Sequence, residues 1–284
     1  MRPSVPPPLP VHAQQGSVAS KIRALPVGVR PSEVWRSAAS ALLRLNPKEC
    51  EELGLVFEEE RTSDETRLLV LDLLAGAATF EAQVVMRRLL ALAVARRNNR
   101  TFATFVQRLG FVEHPDGPTL RFLMSVYAES RGEPADVRAA CAYALGAAAG
   151  QAYASGDLDA AVRASDTLRR HLLQAGTASE KSSLVTALGN AGLPTDAPVL
   201  VRFAHDAEAQ VRAAAALALR KIPTPEARSQ LVALLADGER RVAECALVAL
   251  SEQSLEDDEL DRLAELVLGG RTALALDIRI LQIM

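Results

Sequence analysis

Aromatic side chains make up only 4% of this 284-residue sequence, and that scarcity excludes one class of function at once. Single-stranded nucleic acids are held by series of rings set among basic groups, whereas here only Phe102 and Phe105 lie near Arg96, Arg97 and Arg100. Charge of one sign is missing too: the formal net charge is -3, so no global field gathers nucleic acid or an anionic membrane. Cys50, Cys141 and Cys245 are too few and too widely spaced for a disulfide framework, and none belongs to a C-x-x-C pair; they read as small buried apolar residues. No apolar run approaches the ~18 residues of a membrane span; the richest, LLALAVA at 89–95, is bracketed by arginines. The opening MRPSVPPPLPVHAQQG lacks the continuous apolar centre of a secretory signal. A leader removed from a longer product leaves the compartment open.

Catalytic and metal signatures are missing as well. His12, His114, His171 and His205 show no ligand spacing, so neither a metal nor a cofactor is expected. No phosphate-cradling glycine loop and no G-x-S-x-G elbow occurs. The acidic runs at 51–60 and 256–265 are read as helix starts, where the helix dipole favours carboxylates on a solvated face. The expectation is a protein that is not an enzyme.

What is abundant is Ala, Leu and Val, a mixture suited to helices packed through small side chains. Residues 1–31, with Pro6 to Pro8 unable to donate backbone hydrogen bonds, read as a Pro-rich flexible tail or linker. From Ser32, a plausible N-cap, apolar residues recur at three and four residue spacing; the first stripe would be Val34, Ala38, Ala41, Leu42 and Leu45. Helical segments follow one another to the end, among them 79–97, 134–154, 178–189, 207–221 and 239–252, broken by Gly, Pro, Asn or Asp. Nothing alternates long enough for a sheet. Residues 32–284 therefore form one all-α repeat domain.

One phrase is written twice: VRAACAYAL at 137–145 and VRAAAALAL at 211–219 share seven of nine letters. A shift of 31 residues superposes Asp206 on Asp237, Val211 on Val242, Ala215 on Ala246, Leu217 on Val248 and Leu219 on Leu250, and the repeats are clearest over 178–253. The unit is a helix pair. It cannot bury both faces alone, so it stacks on its neighbours, with Ala where backbones approach and Leu where a gap is filled. Ala215, Leu219 and Ile222 would face the core, as would Cys141 and Leu145. Asp206 and Asp237 would cap the following helices. Arg212 and Arg138, each following the Val of the phrase, would bond the turn Asp of an adjacent unit. Gly189 and Gly192 would accept the left-handed conformation that stops a helix.

The D-x-x-x-x-V-R-x-x-A form at this spacing resembles HEAT-type repeats, which implies a right-handed α-solenoid of stacked antiparallel helix pairs whose second helices line a concave surface. A narrower resemblance rests on SGDLDAAVRASDTLRRHLLQAG and the phrase ALGNAG at Ala187–Gly192, followed by Pro194 and Pro198–Leu200. These look like the helical domain of the large lipid transfer proteins, the vitellogenin and microsomal triglyceride transfer protein family. That resemblance implies a non-catalytic binding module supporting an adjacent β-rich domain of a longer chain, with lipid as an indirect partner. The alternative is a general HEAT-type protein-interaction scaffold with no lipid connection. The apolar end TALALDIRILQIM, without a polar capping element, is read as favouring a continuation. Candidate partner contacts on the concave face or at basic helix ends are Arg212, Arg220, Lys221, Arg96 and Arg97.

Overall fold

A computed structural model describes residues 16–26, 29–270, 272 and 274–282, side chains 274–276 excepted. The described residues are helical without a strand, and the chain divides into two compact units, Met1–Val94 and Ala95–Met284.

The first unit holds α1 (Val18–Arg23), α2 (Glu33–Leu45), α3 (Glu49–Glu58), α4 (Asp64–Ala77) and α5 (Phe80–Ala91). α1 lies inside the segment read as a flexible tail; residues 1–15, with the PPPLP stretch, lie outside the described residues. Ser17 caps α1, Val18, Ala19 and Ile22 are buried, and the Val18 N–H donates to Glu49 Oε2 at 3.0 Å. Ser32 caps α2 as expected, but the buried face is Ala39, Ser40 and Leu43, while Val34 and Leu45 are each 81% exposed. The reason is a close crossing with α4. Ser40 Oγ donates to Leu73 O at 3.1 Å, and a methyl group added at Gly76 would lie 2.6 Å from that oxygen. A small hydroxyl fits this crossing better than the larger side chains of the expected stripe. α5 ends at Ala91, short of the expected 97, because Leu92 turns extended and Asn98 caps a new helix.

The second unit contains α6 (Asn99–Gly110), α7 (Gly117–Glu129), α8 (Ala135–Ala154), α9 (Leu158–Gln174), α10 (Ala178–Ala191), a 3-10 turn at Pro194–Asp196, α11 (Ala197–Phe203), α12 (Ala209–Leu219), α13 (Pro225–Leu234), α14 (Arg240–Leu250), α15 (Asp257–Leu268) and α16 (Leu274–Leu281). The helices stack in antiparallel pairs. Each even-numbered helix from α6 to α14 packs on the next even one, and the odd ones form a second layer. Hydroxyl and carboxylate caps start many of these helices, including Asp116, Asp157, Thr177 and Thr224.

Within the even layer the backbones all but touch. A methyl group at Gly110 would lie 2.6 Å from Ala144 O, one at Gly146 2.1 Å from Ala187 O, one at Gly150 2.6 Å from Asn190 O, and one at Gly189 2.5 Å from Ala218 Cα. Gly189 is therefore a contact residue inside α10 and not the expected helix stop. Gly192 is the stop, a left-handed C-cap at φ 63°. Val211, Ala215, Leu219, Val242, Ala246 and Leu250 are all buried, as are Ile222, Cys141 and Leu145.

Gly146→Ala separates packing from propensity. Helix propensity alone favours Ala by about 1 kcal/mol, whereas forcing α8 from α10 should cost more, for a net destabilisation of about 1–3 kcal/mol. Urea unfolding should show this loss, with Gly176→Ala, which faces open space, within about 0.5 kcal/mol of the parent.

Candidate functional site

The basic residues singled out in the sequence separate into those used by the fold and two, Arg97 and Lys221, without an ion pair among the described residues. Arg212 is used. Its Nε and Nη2 donate to the two carboxylate oxygens of Asp237 at 2.8 and 2.9 Å, while Nη1 donates to Asp206 O and Ala207 O at 3.0 Å each. One guanidinium thus ties two successive inter-helix turns, the planar fork matching the carboxylate. One repeat earlier, Lys181 Nζ donates to Asp206 Oδ2 at 2.7 Å. Lys181 stands 31 residues before Arg212, as Asp206 does before Asp237, so the two pairs are rungs of one ladder. Asp206 and Asp237 also accept from the N–H groups of Glu208 and Glu239 at 3.0 and 2.9 Å. They order the turn two residues before the N-cap without being the caps themselves.

Arg138 meets Glu180 at 2.7 Å, a first-turn carboxylate of α10 instead of a turn Asp, and lies over the ring of Tyr127. The Tyr127 hydroxyl is 3.1 Å from His171 Nδ1. Burial pushes the Tyr127 phenol up and the His171 imidazole down from their ordinary values. A cleft of about 310 Å³ opens here, but its Arg138 and Glu180 are matched to each other and its Glu133 accepts from Asn99 Nδ2. Arg96 pairs with Glu129 at 3.0 Å and lies over Phe102, and Arg100 pairs with Asp136 at 2.9 Å. Arg220 reaches Glu252 at 3.2 Å. Arg97 is exposed with no hydrogen bond or ion pair among the described residues.

Lys221 is different. Also without an ion pair among the described residues, it stands on the rim of a groove of about 470 Å³ at the C-terminal ends of α6, α8, α10 and α12. Phe111, Tyr143 and Tyr153 line this groove with Gln107, Gln151 and Asn190, over small residues that include Ala147 and Gly150. Phe111 and Tyr153 are 59% and 38% exposed. In a chain so poor in aromatics, three in one groove set it apart. Sequence reasoning named Lys221 and missed the rings. The missed signal was the mismatch within the repeated phrase: Tyr143 occupies the position of Leu217 and Val248, which are 41% and 37% exposed. That repeat position faces outward.

No group of three or more His, Cys, Asp or Glu among the described residues is placed to hold a metal ion. Burial pushes the thiols of Cys50 and Cys141 up to about 11, so both are protonated and poorly nucleophilic near neutral pH. No described helix is long and apolar enough to cross a membrane.

The ladder has a measurable pH signature. The Arg212 hydrogen bonds hold the Asp237 carboxyl below its ordinary value, and a carboxyl lowered on folding stabilises above its unfolded pKa and loses that contribution as pH falls through the folded one. Asp237→Asn should cost about 1–3 kcal/mol at pH 7. The gap to the parent should close as acid carries the protein below the ordinary aspartate range, read by denaturant titrations across pH.

Residues 165–251 and 197–271 match the family described as HEAT repeats. No curated protein matches the chain. Among solved structures it is similar to the complex of CpcE and CpcF of phycocyanin lyase from Nostoc sp. PCC7120, at 16% identity over 92% of this chain and 97% of that one, with a TM-score of 0.48. It is also similar to an engineered protein, at 17% identity over 93% and 71% with a TM-score of 0.44, and to human deoxyhypusine hydroxylase, at 19% identity over 84% and 98% with a TM-score of 0.33. The phrase behind the lipid-transfer resemblance falls inside the HEAT match, where Gly189 and Gly192 serve helix contact and helix termination. Residues 165–271 thus form a HEAT-like helical-repeat region within a chain that is all-helical over its described residues.

Proposed function

We propose that this protein is a non-catalytic HEAT-type scaffold that holds a protein partner on the outward face of its even helix layer. The observation that carries this reading is the outward repeat position itself. Packing demands small residues inside the layer, yet Leu217 and Val248 are exposed and the half-buried Tyr143, at the equivalent position, lines the groove. Exposed apolar side chains repeated along one face favour an extended partner surface, with affinity drawn from buried apolar area and aromatic anchors. The comparisons lend no support to lipid transport or to a β-rich partner domain, and the general scaffold accounts for the same residues without either.

A photo-crosslinking phenylalanine analogue placed at Tyr143 should yield discrete protein adducts in cells. The same group at Arg163, exposed on α9, should not. Adducts from Tyr143 should disappear when Ala147→Trp fills the groove. Equal labelling from both positions, or adducts that survive Ala147→Trp, would remove the even layer as the binding face.

A further inference from the structure

We infer that the groove bounded by Phe111, Tyr153 and Lys221 takes an extended peptide segment that carries a carboxylate. The inference rests on the scaffold reading and specifies its partner. Charge is the first argument. The groove has no acidic lining residue, and Lys221 is its one charged group. Neighbouring Arg220 is matched to Glu252, whereas Lys221, which also lines an adjoining cleft with Glu252 and Glu256, makes no ion pair among the described residues. Its position is also prepared: a methyl group added at the left-handed Gly192 would meet Lys221 Cβ at 3.3 Å, so the glycine lets the lysine stem lie against the end of α10.

The remaining lining fits a peptide better than a polyanion. Gln107, Gln151 and Asn190 each offer a carboxamide that both donates and accepts, as peptide groups require. The groove sits at helix C-termini, whose carbonyl ends carry partial negative charge. Such ends favour peptide N–H groups and work against any anion, so the one charged side chain, Lys221, matches a single carboxylate, whereas a phosphate backbone would set many negative charges against one positive charge. Phe111 and Tyr153 supply exposed ring surface for apolar side chains beside the acid. The floor of Ala147 and Gly150 lets a main chain approach closely.

Selection of random twelve-residue peptides displayed on phage against the full chain tests this. Selected sequences should share an Asp or Glu next to apolar residues. As fluorescein-labelled synthetic peptides they should bind about tenfold more weakly, or worse, to Lys221→Glu in polarisation titrations. Replacing the peptide Asp with Asn should give a similar loss, and Lys221→Glu should then weaken binding little further. Ala147→Trp should abolish binding; Phe111→Ala, which alters only an exposed ring, should weaken it and keeps the test valid if Ala147→Trp does not fold. Peptides blocked by Ala147→Trp or Phe111→Ala but indifferent to Lys221→Glu would overturn the acidic partner and leave the groove as a binding face. Peptides indifferent to all three substitutions, or no selected peptide, would overturn both.

Discussion

Backbone-to-backbone approach within the even helix layer is the constraint from which most of the second unit follows. At Gly146 and Ala187 the helices are too close for even one added methyl group. A layer built this way cannot use large residues as its seam, so its apolar content is carried by Ala and Gly at the crossings and by Leu and Val beside them. Large side chains are consequently displaced either into the space between layers, where Phe105, Leu145 and Tyr127 are buried, or to the outward face, where Tyr143 and Tyr153 line the groove. The poverty in aromatics and the groove therefore share one cause. Rings are excluded from the crossings and remain only where there is room.

Small residues bring helices together but specify their register poorly, since one alanine contact resembles the next. Charged pairs supply the missing information at the turns. Lys181–Asp206 and Arg212–Asp237 span the same interval, and a slip by one residue would break a partly buried pair and strand its partner, which costs far more than an exposed pair contributes. The ladder stops where the next position is Ala243. Beyond it, on the odd layer, buried Arg228 reaches Glu259 and Glu256 and ties α13 to α15. Asp196 fixes α9 to the 3-10 turn: fully buried, it accepts from Ser165 Oγ at 2.5 Å and lies 3.1 Å from Arg169 Nη2. Burial raises its carboxyl even against those partners. Geometry is thus obtained there at the expense of desolvating a charge.

The repeat architecture and its inner positions were legible in the sequence because they answer to one requirement, copied at an interval of 31 residues. Val211 with Val242 and Ala215 with Ala246 must be small or apolar for the same reason in each copy. Arg212 as a rung was legible because its acceptor recurs at the same interval. The stripe on α2 was misread because periodicity counts apolar residues, and its seam is made by Ser40 against Gly76. α1 was hidden by its setting: six residues among prolines give no period, and its anchor, Glu49, lies 31 residues away. Gly189 was misread because a glycine near a helix end suits both a stop and a close contact, and only the position of Ala218 distinguishes them.

The groove escaped because its parts obey no repeat rule. Phe111 follows the end of α6, Tyr143 and Tyr153 lie on α8, Asn190 on α10, and Lys221 follows α12. They meet because close stacking brings the ends of four helices together. Inward positions must satisfy neighbours of the same kind and so repeat; outward positions need satisfy only solvent or a partner and are free to diverge. In a stack of copied units, departure from the repeat at an outward position is therefore the more informative signal of binding. Tyr143 in place of Leu217 is that departure, and Lys221, beside a matched arginine, marks the end of the groove where the stack leaves a charge unanswered.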